Sequence, residues 1–168
     1  MDAFAEACKY MNNLRLVLIG QGNIQELSLN NRPFNDKITF KGFLMPAEIK
    51  EFYQITDIGV IPSLYDHCPY TVLEMISYQI PLILSKINGL NEILEENQCV
   101  FVSYLNTEEG EVYLDIKELC NAILCLARDN EMAKNIASNA FKEKLFNFSA
   151  YNMVSKMNNV YSTFLQHT

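Results

Sequence analysis

Two acids, Asp66 and Glu74, stand eight positions apart in the run SLYDHCPYTVLEM, which begins at Ser63. Asp66 falls in the turn behind an apolar, strand-like run, and Glu74 falls inside the helical pattern that follows, from about Tyr70 to Tyr78. Because Asp66 precedes the helix, helical geometry alone does not put the two on one face. What they bracket is a helix start, where the amides near Tyr70, Thr71 and Val72 lack intrahelical partners and the dipole end is positive. Carboxylates accept hydrogen bonds from hydroxyls, and a helix start holds a phosphate. A nucleotide sugar presents both parts, hydroxyls at either end and a diphosphate between them. Without further context, two acids beside a helix start are more simply read as solvated side chains in a favourable dipole.

Other polar residues are weighed the same way. Asp66, His67 and Cys68 include three metal-ligand types, but adjacent residues rarely converge on one ion, so no metal and no other cofactor is expected. Gly20, Gln21 and Gly22 form a lone Gly-x-Gly, better read as a plain turn after a strand. Glu92, in the segment NGLNE, is either an ordinary acid at a helix start or part of a ligand pocket. The aromatic residues, Phe52 and Tyr53 among them, read as core.

The elements that must position these groups alternate. A helical pattern over Asp2 to Met11 precedes the short apolar run Leu14–Gly20. A second strand over Lys37–Phe43 leads through Pro46, which suits a first helical turn, into a helix with Ile49, Phe52 and Tyr53 on one face. A third strand spans Asp57–Ser63, a fourth Pro81–Ser85 and a fifth Cys99–Ser103, with helices after Pro69 and around Leu90–Glu95. Strands that are apolar throughout and alternate with helices predict an α/β fold, a doubly wound parallel sheet of Rossmann-like type. Thr107–Tyr113 reads as an exposed acidic loop, and three helical patterns complete the chain. In such sheets ligands sit beyond the carboxyl ends of the strands, which selects the loops after Gly20, Phe43, Ser63 and Ser85.

A length of 168 residues bounds the chain to one compact domain, residues 1–168. A net charge of −7 with scattered basic residues argues against nucleic acid, and any bound phosphate must lean on backbone amides. The five cysteines, Cys8, Cys68, Cys99, Cys120 and Cys125, are odd in number and mostly lie in apolar runs, so they read as reduced core residues. No apolar run approaches the ~20 residues that span a bilayer, and the protein is expected to be soluble and cytoplasmic.

The ordered motifs resemble one family, the GT-B glycosyltransferases of group 1, whose C-terminal domain carries two glutamates separated by seven residues in a run like SxxEGFPxxxLEAM. Ser63, Pro69, Leu73, Glu74 and Met75 match, and Asp66 stands at the first glutamate. LRLVLIGQG, KITFKGF, DIGVIPSL, PLILSKINGLNEIL and the closing NFSAYNMVSKMNNVYSTF also match family segments in order. The resemblance implies a donor-binding domain for sugar transfer from a nucleotide-sugar, with retention of anomeric configuration, in polysaccharide or glycan biosynthesis. By it, Glu74 meets the ribose, and Asp66, His67 and Glu92 meet the donor sugar. The backbone from Cys68 through Pro69, Tyr70 and Thr71 to Val72 takes the diphosphate. Gly20, Gly22, Gly42, Phe43 and Ser63 lie on the base side, and no residue is assigned as nucleophile.

Departures from the pattern carry further expectations. Aspartate replaces glutamate at Asp66, His67 and Cys68 replace a glycine and an aromatic, and Asn88 replaces the first of two glycines. By the same resemblance, the acceptor-binding N-terminal domain, the sheet's first strand and an Arg/Lys turn that grips the diphosphate are expected to lie outside this sequence. An unpaired edge or a gap in the sheet is therefore expected, with weak donor binding and no transfer by the chain alone. The partners implied are a nucleotide-sugar donor and, through the missing domain, a glycan or lipid-linked acceptor; self-association is compatible with an open sheet edge. The alternatives are a non-catalytic module, or a split or decayed enzyme working with a separate chain, and, more remotely, a sugar-nucleotide epimerase of similar build.

Overall fold

The computed structural model describes residues 1–22, 34–66, 69–106 and 112–165. Five short parallel strands appear where the apolar runs predict them: β1 (Leu16–Ile19), β2 (Ile38–Gly42), β3 (Gly59–Ile61), β4 (Leu82–Ser85) and β5 (Val100–Val102). Helix α1 (Asp2–Cys8) precedes them, and α2 (Pro46–Ile55), α3 (Tyr70–Ser77) and α4 (Asn88–Asn91) follow β2, β3 and β4. Three longer helices follow, α5 (Ile116–Arg128), α6 (Asn130–Asn147) and α7 (Ala150–Leu165). Helix starts follow local chemistry. Pro46 opens α2 while the Glu48 carboxylate accepts the Met45 N–H at 2.7 Å, and Asp115 caps α5 by accepting from Lys117 and Glu118.

Side-chain alternation divides the core between the two faces of the sheet. Ile83, Val60, Val100 and Val102 join α1, α5 and part of α6 on one face. Leu82, Leu84, Ile61 and Phe101 join α2, α3 and α4 on the other. β4 is buried at every position, which a central strand covered on both faces requires. This is the doubly wound arrangement the sequence predicts.

The strands do not form one ladder. Among the described residues, β1 pairs with β2, and β3–β4–β5 form a separate sheet, with no ladder between β1 and β3. A gap in the sheet is one of the two outcomes expected from the sequence, and it falls between β1 and β3. The segment read as an acidic loop differs from expectation: Val112 and Tyr113 belong to β7 (Val112–Leu114), which pairs antiparallel with β6 (Tyr104–Asn106). Three residues are too few to show a period, and the acidic run beside them masks their β propensity; residues 107–111 lie outside the described ones. The expected helix over 90–95 is also shorter and earlier. The chain leaves α4 after Asn91 and turns down to β5, where the buried Gln98 side chain accepts the Glu95 N–H at 3.1 Å and donates to Glu143.

Candidate functional site

The loop that carries Asp66 leaves the carboxyl end of β3 and is fixed at Ser63. The Ser63 carbonyl accepts a hydrogen bond from the Ser85 hydroxyl at 2.5 Å and another from the Tyr104 hydroxyl. Ser85 is almost wholly buried at the end of β4, where its hydroxyl needs a partner. Two strands of the fold thus anchor one carbonyl at the entrance of the signature loop. The sequence marks Ser85 only as a strand end before a loop, and Tyr104 not at all, although a serine closing an otherwise apolar buried strand was a signal that could have found the first.

Beyond Asp66, which is half-buried, His67 and Cys68 lie outside the described residues. Pro69 then stands at the N-cap of α3, and no side chain caps that end. The Val72 N–H donates to the Pro69 carbonyl at 3.0 Å, so it is already engaged, whereas the first two helical amides, of Tyr70 and Thr71, have no partner within the helix. No acid occupies the first turn of α3, so nothing there opposes an approaching anion.

Glu74 sits one turn further on, with its backbone on a helix that lies close to the sheet. The closeness rests on Gly59: a β-carbon there would come within 2.6 Å of Met75 Sδ and 2.7 Å of a Leu82 methyl. Val72 and Ile76 face the core while Glu74 faces outward. Its carboxylate is nevertheless held, because the Tyr53 hydroxyl of α2 donates to Glu74 Oε2 at 2.9 Å. The Tyr53 ring is core, as the sequence suggests, 6% exposed and 5.4 Å from the tilted ring of Tyr78. Burial, and then the neighbouring carboxylate, push the Tyr53 phenol far above its ordinary pKa, so it stays a proton donor.

The remaining candidates are separate from this cluster in the described hydrogen bonds. Glu92 is the exposed C-cap of α4 rather than a residue at a helix start, and among the described residues neither its side chain nor that of Asp66 has a partner. Gly20 and Gly42 meet each other, the Gly20 N–H donating to the Gly42 carbonyl at 2.9 Å across a register shift. Both have positive φ, +146° and +68°, backbone that favours glycine. Gly22 has open space where a β-carbon would stand, and Phe43 is exposed. These residues line the end of β1–β2, and Ser63 lies instead at the end of β3. Among the described residues no three His, Cys, Asp or Glu side chains gather as a metal site, and no helix is long and apolar enough to cross a membrane.

This parallel α/β scaffold holds the Glu74 carboxylate one turn beyond an uncapped helix start. A family profile described as glycosyl transferases group 1 matches residues 1–143, and the chain belongs to that family. The UDP-Gal:alpha-D-GlcNAc-diphosphoundecaprenol alpha-1,3-galactosyltransferase of Escherichia coli is 30% identical over 171 residues, 94% of this chain and 41% of that protein. The alpha-D-kanosaminyltransferase of Streptomyces kanamyceticus is 24% identical over 144 residues, 83% of this chain and 35% of that protein. The chain thus spans about two-fifths of the length of these relatives. Among solved structures, Anabaena HepE in complex with UDP-glucose superimposes with a TM-score of 0.79 at 19% identity, covering 96% of this chain and 43% of that one. The C-terminal domain of a group 1 family protein, LpcC of Francisella tularensis, gives 0.66 at 19% identity over 84% of this chain and 73% of that one. At such identities the likeness establishes the fold.

Proposed function

We propose that this chain is the donor-binding half of a glycosyltransferase that moves a sugar from a uridine diphosphate sugar to a glycan or lipid-linked acceptor, with retention of configuration. The observation that carries the reading is Glu74, an outward-facing carboxylate held by Tyr53 one turn beyond the uncapped start of α3. In this reading Glu74 accepts from the ribose hydroxyls, and the amides of Tyr70 and Thr71 take the diphosphate. Asp66, His67 and Glu92 meet the sugar, and Gly20, Gly22, Gly42, Phe43 and Ser63 flank the base. Uridine is favoured because the Escherichia coli relative is named for UDP-Gal and the Anabaena structure holds UDP-glucose. Free thiols at Cys8, Cys99, Cys120 and Cys125 suit a cytoplasmic setting.

A second reading, a module that works with a separate polypeptide, is favoured by the interruption between β1 and β3. Both readings have the acceptor domain and a strand between β1 and β3 supplied from outside the sequence described. Calorimetry against UDP, GDP, ADP and their sugars tests the pocket. Weak binding of UDP and UDP-sugars without turnover is expected. Failure of every nucleotide to bind at millimolar concentration would sink the donor assignment, and turnover by this chain alone would contradict the need for a partner.

A further inference from the structure

We infer that Tyr53 is a positioning residue for nucleotide recognition: its buried hydroxyl holds the Glu74 carboxylate in the orientation that accepts the ribose hydroxyls. The inference rests on the proposed role of Glu74 and adds to it a residue on a different helix, 21 positions earlier in the chain.

Glu74 projects from an exposed helix face, where a glutamate side chain ordinarily samples several rotamers, and fixing one on binding has a cost. Here the choice is made before any ligand arrives. The Tyr53 ring is buried in the core cluster that also holds Val72 and Ile76 and has Ile49 packed against it, and it lies 5.4 Å from the ring of Tyr78, so the hydroxyl has little freedom of its own. It donates to one oxygen, Oε2, at 2.9 Å. Oε1 and the remaining lone pairs stay available to accept from a second donor, and a carboxylate can take several. The phenol carries a single proton, already given to Glu74, and remains protonated because burial and that same carboxylate both oppose its ionisation. Tyr53 therefore acts through Glu74 and touches no ligand itself.

The test compares UDP with 2′,3′-dideoxyuridine 5′-diphosphate, which lacks both ribose hydroxyls, on the full chain and on Tyr53→Phe and Glu74→Ala. Wild-type protein is expected to prefer UDP, and Glu74→Ala to lose the preference. Tyr53→Phe is expected to narrow it by about 3- to 10-fold, the cost of ordering one flexible side chain, while leaving dideoxy-UDP affinity unchanged. If Glu74→Ala flattens the preference and Tyr53→Phe does not, the Tyr53 inference is overturned and the Glu74 role survives. Equal weakening of both nucleotides by Tyr53→Phe marks a general packing loss and also overturns it. If wild type binds neither nucleotide or shows no preference, or if Glu74→Ala retains the preference, the Glu74 role falls and the inference with it. Wild-type protein with tyrosine labelled at Cζ gives the answer without a variant. The Tyr53 resonance should move with UDP and stay in place with dideoxy-UDP, and the same response to both would contradict the coupling.

Discussion

The sheet β3–β4–β5 and the pair β1–β2 are built from similar residues and end in very different states. In the first, Leu82, Ile83 and Leu84 are buried to within 1% exposure, with helices on both faces. In the second, Val17 and Ile19 of β1 remain 41% and 39% exposed. β1, Leu-Val-Leu-Ile, is no less apolar than β4, Leu-Ile-Leu-Ser, so their difference comes from what lies beside and over the strands. β4 has a hydrogen-bonded neighbour on each side, while among the described residues β1 has β2 on one side and no ladder on the other. The finished sheet carries Ser63, Glu74 and the start of α3, and the unfinished pair carries Gly20 and Gly42. α7 shares the second condition, with no buried residue and with Met153, Val154, Met157, Val160 and Tyr161 exposed along its length. The position of α3 is thus set by local packing, whereas β1 and α7 keep apolar side chains exposed.

The contrast should be visible in stability. Leu84→Ala, in the finished sheet, is expected to cost about 2–5 kcal/mol, whereas Val17→Thr should stay within about 0.5 kcal/mol in this chain. Urea unfolding measures both, and equal costs would erase the distinction. Gly59→Ala should cost about 1–3 kcal/mol by driving a methyl into Met75 and Leu82, and should also shift the Glu74 backbone signal. A stable variant with that signal unmoved would show that the close approach of α3 to β3 is dispensable.

The Tyr53–Glu74 bond contributes less, on the order of 1 kcal/mol given an exposed carboxylate that water can re-solvate. Its pH dependence has a definite sign. The folded phenol holds its proton more tightly than the unfolded one, which titrates near ~10. The stability difference between wild type and Tyr53→Phe should therefore be complete below about pH 10 and shrink as pH rises beyond it. A difference that grows with alkalinity would contradict the bond. The smallest effect concerns thiols. Burial, and then Glu96, push the Cys99 thiol up to about 12. Cys125 is exposed, so among Cys8, Cys99, Cys120 and Cys125 it should be alkylated first in native protein and Cys99 should wait for unfolding.

Much of this was legible in the residues. Continuous apolar runs bounded by Gly20, Pro62 and Pro81 marked three of the five strands, because a strand covered on both faces must be apolar throughout. The order of motifs around Asp66 and Glu74 led to the family. The hairpin at Tyr104 and Val112 was hidden by its three-residue strands, and Cys125, grouped with the core thiols, proved exposed because it falls on the outer face of α5 with Asn121 and Arg128, while Leu124 and Leu126 beside it are buried. Tyr53 illustrates a different limit. Its spacing on α2 identified a core aromatic correctly, but a helical period says nothing of where one hydroxyl points. Its partner is set by the packing of α2 against α3, a long-range fact with no local signature.

The claim that α3 and its carboxylate form a nucleotide pocket is tested most directly by following backbone amide resonances of this chain as UDP is added. The amides of Tyr70 and Thr71 should shift most, followed by Glu74 and then Gly20 and Gly42, with Glu74→Ala reducing the response. Shifts confined to other regions, or none at millimolar UDP, would contradict it.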